Sequence, residues 1–208
     1  MAIKLYGIPQ SRSLRCLWLL EELGVPYENV PTSFVGDAQK PDFLKLNPNG
    51  KVPALDDDGL VLFESLAINL HLAAKYGAGK GLWPSSQDDR SRAIQWSIWA
   101  MAELEPHVMR VLRHRAFLPE AQRVESEAKA GESDLRKPLG ALGVLEGALR
   151  GRPYLLGDRF TVADLNVDGV FGWLPAFGGL DLGDRPNLVA WHERCAARPA
   201  FARAQGRR

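Results

Sequence analysis

Strand-like segments are confined to the first 76 residues of this chain, and the remainder has the pattern of helices. Short apolar stretches such as AIKLYGI and LVLF alternate there with helix-like stretches such as LRCLWLLEEL. The segment GAGKGLWPSSQ then concentrates glycine, proline and serine, and strand signals end with it. We therefore predict an α/β domain at residues 1–77, a linker at 78–87 and an all-helical domain at 88–208.

The order of elements in the first domain predicts a mixed sheet. A strand, a helix and the short strand PYENVPT form a βαβ unit, in which the two strands are parallel neighbours. The turn Asp58-Gly59 then joins VPALDD to LVLF as an antiparallel hairpin. A helix over about 65–76 completes the order βαβ-ββα.

The first helix after the linker carries two stripes at helical spacing. One is apolar and is predicted to face the helical core: Ile94, Ile98, Met101, Leu104, Val108 and Val111. The opposite one mixes aromatic and polar side chains: Trp96, Trp99, Glu103, His107 and Arg110. This second stripe either packs against a helix or a second subunit, or lines a ligand cleft. Pro106 is expected to kink the helix.

Composition narrows the class of partner. Lys plus Arg (26) nearly balances Asp plus Glu (25), so nucleic acid and anionic membrane are not expected as main partners. The sequence also has no apolar run long enough for a bilayer span and no signal-peptide layout at its start. We expect a cytoplasmic protein that binds a small molecule or another protein.

Cysteine and histidine spacing argues against metal and dithiol chemistry. Cys16 and Cys195 are far apart in sequence, and neither belongs to a CxxC pair. The four histidines show no metal-ligand spacing, so no metal is expected. Cys16 lies within LRCLWLL, where a packing role is expected rather than a reactive one.

Two serines precede the first helix in the stretch PQSRSLRCLWLLEELG. Ser11 and Ser13 have the residue type that caps helices, because a hydroxyl can accept a bond from an unpaired N–H of the first turn. The same location suits chemistry, since the positive end of a helix favours an anion. The stretch alone leaves both interpretations open.

Three segments together resemble the glutathione S-transferases. They are SRSLRCLWLLEELGVPYE, FLKLNPNGKVPALDDDGLVLFESLAINLHLAAKYG and GRPYLLGDRFTVADL, and the resemblance spans the whole chain. It is closest to the bacterial-type, serine-type classes such as theta, zeta and beta. It implies a thioredoxin-like α/β N-terminal domain followed by an all-α C-terminal domain, with glutathione as co-substrate and no metal.

The resemblance also assigns the residues that would hold glutathione. A cis bond at Val52-Pro53 would let the Val52 backbone pair with the extended peptide, as an added strand does. Glu64 would take the ammonium of the γ-glutamyl end, while Ser65 and its helix N-terminus would take the carboxylate. Lys51, and less directly Lys40, would hold the glycyl carboxylate.

The same resemblance implies a catalytic role for the serines that precede the first helix. Ser11 is expected to donate a hydrogen bond to the glutathione sulfur, and Arg12 to add positive potential. Ser13 is expected to cap the helix. The surroundings SRS differ from those of the better-described serine classes, so Ser13 remains the alternative sulfur donor.

The resemblance implies a homodimeric detoxifying transferase that joins glutathione to a small, largely apolar electrophile. The electrophile site is expected to include the helical-domain residues Trp99, Glu103 and His107, with their neighbours, and the stretch from Arg113 to Phe117. The alternatives are glutathione-dependent peroxide or disulfide reduction on the same site, and a non-catalytic ligand-binding or docking protein. A redox protein acting through its own thiol is disfavoured by the missing CxxC.

The helical half also contains a predicted capping box. Thr161 and Asp164 have the S/T-x-x-D/E spacing ahead of an apolar run. We assign this pair a folding role and no catalytic role.

Overall fold

A computed structural model describes residues 3–137 and 140–207 of the chain. The chain divides into two compact units, residues 1–86 with 197–208, and residues 87–196. The division differs from the predicted boundaries at the end of the chain. Residues 197–208 belong to the first unit, whereas the sequence places them in the helical domain.

The first unit is built on a mixed four-stranded sheet. Its strands are β1 (Ile3–Tyr6), β2 (Glu28–Val30), β3 (Ala54–Asp57) and β4 (Leu60–Phe63), in the order β2-β1-β3-β4. The β1–β2 pair is parallel, and the β1–β3 and β3–β4 pairs are antiparallel. The predicted mixed sheet is confirmed.

The register of the sheet determines which loops meet. Tyr6, the last residue of β1, pairs with Ala54, the first residue of β3, and Ala54 also pairs with Phe63, the last residue of β4. The segment after β1, the segment before β3 and the segment after β4 therefore emerge at the same end of the sheet.

Three helices follow the strands in this part of the chain: α1 (Ser13–Leu23), α2 (Pro41–Leu44) and α3 (Ser65–Tyr76). Most side chains of α1 are buried, as the apolar run in the sequence predicts. It ends at Gly24, whose φ of 60° is a left-handed conformation that glycine adopts without steric cost. α3 spans the residues predicted for it.

The described residues of the second unit form helices joined by loops, with one isolated β-bridge between Tyr154 and Gly157. Its helices are α4 (Gln87–Trp99), α5 (Glu105–Leu112), α6 (Glu125–Arg136), α7 (Ala141–Ala148), α8 (Val162–Phe171) and α9 (Pro186–Ala196). π-helical turns lie at Ala100–Leu104, Arg113–Phe117 and Leu174–Gly178. No helix in the described part of the chain is long and apolar enough to cross a bilayer.

The apolar stripe predicted for α4 is wrong at its first two positions. Ile94 and Ile98 are 40% and 63% exposed, whereas Ala93 and Ser97 are buried. Small side chains occupy the buried face because α8 packs there, and Asn166 Nδ2 donates to Ser97 Oγ at 2.8 Å. The π-helical turn at Ala100–Leu104, just before Pro106, then changes the helical repeat.

The last three residues of that stripe are placed as the sequence predicts. Leu104, Val108 and Val111 are buried, whereas Met101 is half-buried. The stripe is therefore buried only from Leu104, the last residue of the π-helical turn, onward.

The last helix, α10 (Pro199–Gln205), explains why residues 197–208 belong to the first unit. It packs on α1, and the rings of Trp18 and Phe201 lie 4.8 Å apart. Arg198 forms a bidentate pair with Glu22, with Nε–Oε1 and Nη2–Oε2 distances of 2.6 and 2.7 Å. Such fork-shaped pairs are among the stronger charge-assisted contacts in proteins.

A second acid of α1 is held by the same terminal segment. Glu21 accepts hydrogen bonds from Arg203 Nε and Arg207 Nε, each at 2.8 Å, and from the Tyr27 hydroxyl at 2.8 Å. Together with the Glu22 pair, these contacts fasten the C-terminal half of α1.

The predicted capping box at α8 is confirmed. Thr161 Oγ1 accepts from the Ala163 N–H at 3.2 Å, and Asp164 Oδ2 accepts from the Thr161 N–H at 3.0 Å. Asp164 Oδ1 also accepts from the Leu155 N–H at 2.8 Å and from the Trp191 indole at 3.0 Å. Asp164 is fully buried and thus joins three segments of the helical unit.

Candidate functional site

The candidate site lies at the end of the sheet where the three loops emerge, and Gly7 is at its centre. A Cβ at Gly7 would lie 1.9 Å from Ser13 Oγ and 3.6 Å from Val52 Cβ. Only a residue without a side chain fits there. Gly7 thus lets the start of α1 approach the end of β1, with the residue pair before β3 alongside.

Ser11 and Ser13 lie next to each other in this region. Ser11 Oγ is 2.9 Å from Ser13 Oγ and 2.7 Å from the carbonyl oxygen of Ile8, to which it can donate. It also accepts from the backbone N–H of Ser13 at 3.1 Å. Ser11 is 7% exposed and Ser13 is fully buried. Of the two hydroxyls, that of Ser11 lies nearer to solvent.

The expected capping role of Ser13 is wrong. Ser13 is the first residue of α1, and Arg12 occupies the cap position without a side-chain cap bond. Ser11 instead supplies the oxygen that the Ser13 N–H requires, from one residue before the cap. Arg12 lies between the two serines and is partly buried.

The Val52-Pro53 peptide bond is cis, as the resemblance implies. Both residues are buried, and Lys51 before them is exposed. The Asn47 side-chain amide donates to the Lys51 carbonyl, so a side chain of the preceding turn fixes the backbone at this point.

Lys40 lies at the cap position of α2 and is exposed. Its Nζ is 2.6 Å from Asp37 Oδ1, and this hydrogen bond lowers the pKa of Asp37. Gln39 Nε2 donates to the Gly50 carbonyl at 2.9 Å, which joins this region to the segment before Lys51.

Glu64 and Ser65 follow β4 at the same end of the sheet. Glu64 is exposed and has a φ of 72° and a ψ of 110°, a left-handed conformation that is uncommon for a residue with a side chain. Such strain is often stored at functional sites. Ser65 is the first residue of α3 and is 3% exposed.

Arg15 is a site residue that the sequence analysis did not predict. Its Nη1 donates to Ser65 Oγ at 3.3 Å, and the side chain is 3% exposed. The sequence does give one signal for Arg15: it is a charged residue within an apolar helical run, at a position where burial is expected. Gly7 was also missed, and the sequence gives no local signal for its close approach.

Cys16 is unsuited to redox chemistry. It is fully buried, its Sγ donates to the Ser65 carbonyl at 3.4 Å, and burial raises the pKa of its thiol well above the usual range. No group of three or more His, Cys, Asp or Glu in the described residues is arranged to hold a metal.

The residues predicted for an electrophile site all lie in the helical unit. Trp99 ends α4 and packs edge-to-face with Trp96 at 5.1 Å. Phe117 lies edge-to-face with Trp173 at 6.0 Å, and His107 Nδ1 is 3.6 Å from Asp134 Oδ2. Glu103 and Arg113 are exposed, each in a π-helical turn.

A cavity of about 610 Å³ opens beside part of the predicted stretch 113–117. It is lined by His114, Arg115, Arg123, Glu125, Ala128, Lys129 and Gly179. Its lining is mainly charged, and it includes His114 and Arg115 of the predicted stretch.

Family models match both halves of the chain. The model of the glutathione S-transferase N-terminal domain matches residues 1–74, and that of the C-terminal domain matches residues 101–199. Two curated plant proteins are similar along almost their whole length. Glutathione S-transferase F13 of Arabidopsis thaliana is 36% identical, covering 97% of this chain and 94% of the relative. Glutathione S-transferase 3 of Zea mays is 37% identical, covering 96% and 91%.

A solved structure has the same fold. The theta class glutathione S-transferase of Xanthomonas axonopodis pv. citri, with glutathione bound, superposes with a TM-score of 0.87. It is 30% identical in sequence, and the match covers 99% of this chain and 98% of that one.

Proposed function

This chain belongs to the glutathione S-transferase family, and from that membership we propose that it activates the glutathione thiol with Ser11. The thiolate then attacks a small electrophilic, largely apolar substrate. In that step a sulfur–carbon bond forms, the thiol proton passes to solvent, and the leaving group departs from the substrate carbon. Detoxification of reactive compounds is the role that this reaction suits.

The single observation that carries the proposal is the arrangement of the two serines. Ser11 Oγ lies at the start of α1, where the helix dipole favours negative charge, and it is less buried than Ser13 Oγ. The Ser13 N–H donates to Ser11 Oγ at 3.1 Å and holds the hydroxyl in place. In this proposal the Ser11 proton, which can donate to the Ile8 carbonyl at 2.7 Å, turns to the sulfur when glutathione binds. Ser11 is therefore the donor to sulfur in this proposal, and Ser13 and Arg12 support it.

Thiolate stabilisation is the energetic purpose of such a donor. The free thiol of a cysteine, as in glutathione, has a pKa of about 8.5, so only a few per cent is ionised at neutral pH. A hydrogen bond to the charged form lowers that pKa, and each unit corresponds to about 1.4 kcal/mol. The interaction strengthens as charge develops, so it acts on turnover more than on binding.

The peptide part of glutathione is assigned to the loops that meet at this end of the sheet. In this proposal the Val52 backbone pairs with the cysteinyl segment, Glu64 binds the ammonium, and Ser65 binds the γ-glutamyl carboxylate. Lys51 and Lys40 serve the glycyl carboxylate. The bound glutathione of the Xanthomonas axonopodis relative supports the assignment of the ligand.

A pH titration of bound glutathione tests the proposal. The ultraviolet absorbance of the thiolate is followed for the unmodified protein, Ser11→Ala and Ser13→Ala. We expect a lowered thiol pKa that returns towards its free value in Ser11→Ala, with turnover reduced by roughly 100-fold and glutathione affinity nearly unchanged. An unchanged Ser11→Ala with an inactive Ser13→Ala would transfer the role to Ser13.

The same experiment separates the alternative functions. Turnover with hydroperoxides or disulfides, and none with aryl halides, would assign a glutathione-dependent peroxidase or reductase. Tight glutathione binding without a pKa shift would indicate a non-catalytic carrier or docking protein. A redox cycle on the protein's own thiol is disfavoured because Cys16 is buried and its pKa is raised.

We further propose that the electrophile is held by Trp99, Glu103, His107, Arg113 and Phe117. Partly exposed aromatic rings at Trp99 and Phe117 support an apolar substrate. Loss of affinity for the electrophile in Phe117→Ala, with unchanged glutathione affinity, would support the assignment.

A homodimer is also proposed. Leu60, Val61 and Phe63 of the edge strand β4 are exposed, and so are Ile94 and Ile98 of α4. Apolar groups left uncovered in this way are typical of interfaces. A sedimentation measurement tests it, and a concentration-independent monomer would refute it.

A further inference from the structure

Arg15 is a permanently charged side chain in an apolar setting. Its guanidinium does not deprotonate in proteins, and only 3% of the residue is exposed. The neighbouring helix residues Cys16, Leu17, Leu19 and Leu20 are fully buried. Taking a charge out of water is costly unless specific contacts compensate it. The contacts that hold the guanidinium in place include one with Ser65.

The guanidinium links the first turns of two helices. Arg15 Nη1 donates to Ser65 Oγ at 3.3 Å. Two further contacts tie the same turns together: Cys16 Sγ donates to the Ser65 carbonyl at 3.4 Å, and Asn69 Nδ2 donates to the Arg15 carbonyl at 3.2 Å. The start of α3 is thus held against the start of α1 by both side chains and backbone.

This geometry gives the Ser65 hydroxyl a direction. A serine hydroxyl has one proton to donate and two lone pairs. When Ser65 Oγ accepts from Arg15, its proton points away from the guanidinium. Ser65 is already the first residue of α3, where the helix dipole favours an anion. The positive charge of Arg15 and the positive end of the helix therefore both favour a negatively charged ligand group.

We propose that Arg15 is a positioning residue for the γ-glutamyl carboxylate of glutathione, acting through Ser65. It holds the hydroxyl as a donor towards the carboxylate and adds positive charge behind it. The inference rests on the proposed function, in which Ser65 receives that carboxylate. It assigns a role at each end of the ligand to the start of α1 and the segment before it, with Ser11 at the sulfur and Arg15 behind the carboxylate.

Three ligands test this assignment. Calorimetry compares glutathione with γ-aminobutyryl-cysteinyl-glycine, which lacks only the α-carboxylate and keeps the ammonium. N-acetylglutathione keeps the α-carboxylate and controls for the charge of the ammonium. Arg15→Met is expected to weaken binding of glutathione and of N-acetylglutathione roughly tenfold. It should leave the affinity for γ-aminobutyryl-cysteinyl-glycine unchanged, and kcat at saturating glutathione should be nearly preserved.

Two further variants keep the test decisive if Arg15→Met is poorly folded. Arg15→Lys retains the charge but not the planar fork, so it should show a smaller loss with the same dependence on the carboxylate. Combining Arg15→Lys with Ser65→Ala should add no further loss of selectivity, because the two residues act in series. Arg198→Met is the matched control, since it removes an arginine that contacts the other end of α1.

The outcomes separate the inference from the function on which it rests. Equal loss of affinity for all three ligands, or no loss for any, would overturn the role of Arg15 alone. Additive effects of Arg15→Lys and Ser65→Ala would also overturn it. Failure of the unmodified protein to bind glutathione would overturn the proposed function together with this inference.

Discussion

The starts of α8 and α3 use the same type of side chain in different ways. At α8, Thr161 precedes the helix and accepts from the Ala163 N–H, and Asp164 completes the box. At α3, Ser65 is the first helical residue, and Glu64 takes the cap position in a left-handed conformation without a side-chain cap bond. A shift of one residue thus turns the hydroxyl from its own helix towards Arg15.

The position of the hydroxyl relative to the helix start distinguishes a helix cap from a candidate ligand-binding group. A hydroxyl at the cap satisfies a backbone donor of its own helix, so it stabilises the fold. A hydroxyl one residue later does not serve the first turn in that way and can be directed at a ligand.

Replacing Asp164 by Ala should destabilise the helical unit by about 3 kcal/mol or more. The sequence alone suggests roughly 1 kcal/mol for a cap. The larger value follows because the Leu155 N–H and the Trp191 indole also lose their acceptor in a buried setting. Denaturant unfolding measures the change, with glutathione affinity expected to stay constant. A loss near 1 kcal/mol would mean that the carboxylate acts only as a cap.

Replacing Gly7 by Ala should cost about 2 kcal/mol and reduce thiol activation. The new Cβ would overlap Ser13 Oγ, so the start of α1 has to move away from β1. Gly59→Ala is a matched control, because Gly59 also has a positive φ but open space around it. Equal effects of the two substitutions would show that backbone conformation, not contact with Ser13, makes glycine necessary at position 7.

Replacing Ser65 by Ala should weaken glutathione binding roughly tenfold, which is about 1.4 kcal/mol. Stability should fall by about 1 kcal/mol, because Arg15 Nη1 loses one acceptor while no helix loses its cap. The pattern is the opposite of that expected for Asp164→Ala. A large loss of stability with unchanged affinity would refute the contrast between the two helix starts.

Replacing Glu21 by Gln tests the far end of α1 and should cost about 1 kcal/mol at neutral pH. Burial opposes ionisation of Glu21, but hydrogen bonds from Arg203, Tyr27 and Arg207 outweigh it and lower the pKa of its carboxyl. The stabilisation is therefore present above the unfolded pKa of about 4.3 and is lost as the pH falls through the folded value.

Unfolding curves between neutral pH and pH 3 follow that loss in the unmodified protein. The Gln variant should show a smaller decline over this range. Identical pH profiles would mean that Glu21 does not contribute. Thiol activation should be unaffected, because Glu21 lies more than two helical turns from Ser11.

Local patterns predicted much of the first unit and of its candidate site. The strands, the Asp58-Gly59 turn and the bounds of α3 follow from alternation and turn chemistry. The cis bond at Val52-Pro53 came from the resemblance and not from any local rule. The box at Thr161 and Asp164 was predictable because its spacing alone defines it.

Features set by distant contacts were not predictable from the sequence. The contact of Arg198 with Glu22 joins residues 176 positions apart, and no local pattern marks either one. The burial of Ala93 and Ser97 in place of Ile94 and Ile98 depends on the close approach of α8. The close approach of Ser13 to Gly7 is also a feature of the folded backbone, because a side chain at position 7 would overlap Ser13 Oγ.

Residues 197–208 pack with the first unit, and this affects the order in which parts of the protein can fold. During synthesis, α1 and the sheet emerge early, but α10 follows only after the whole of residues 87–196. Until then the ring of Trp18 and the carboxylates of Glu21 and Glu22 lack the partners that α10 and its flanking residues bring. The first unit can thus start to fold before residues 87–196 are made, but it is completed only after them.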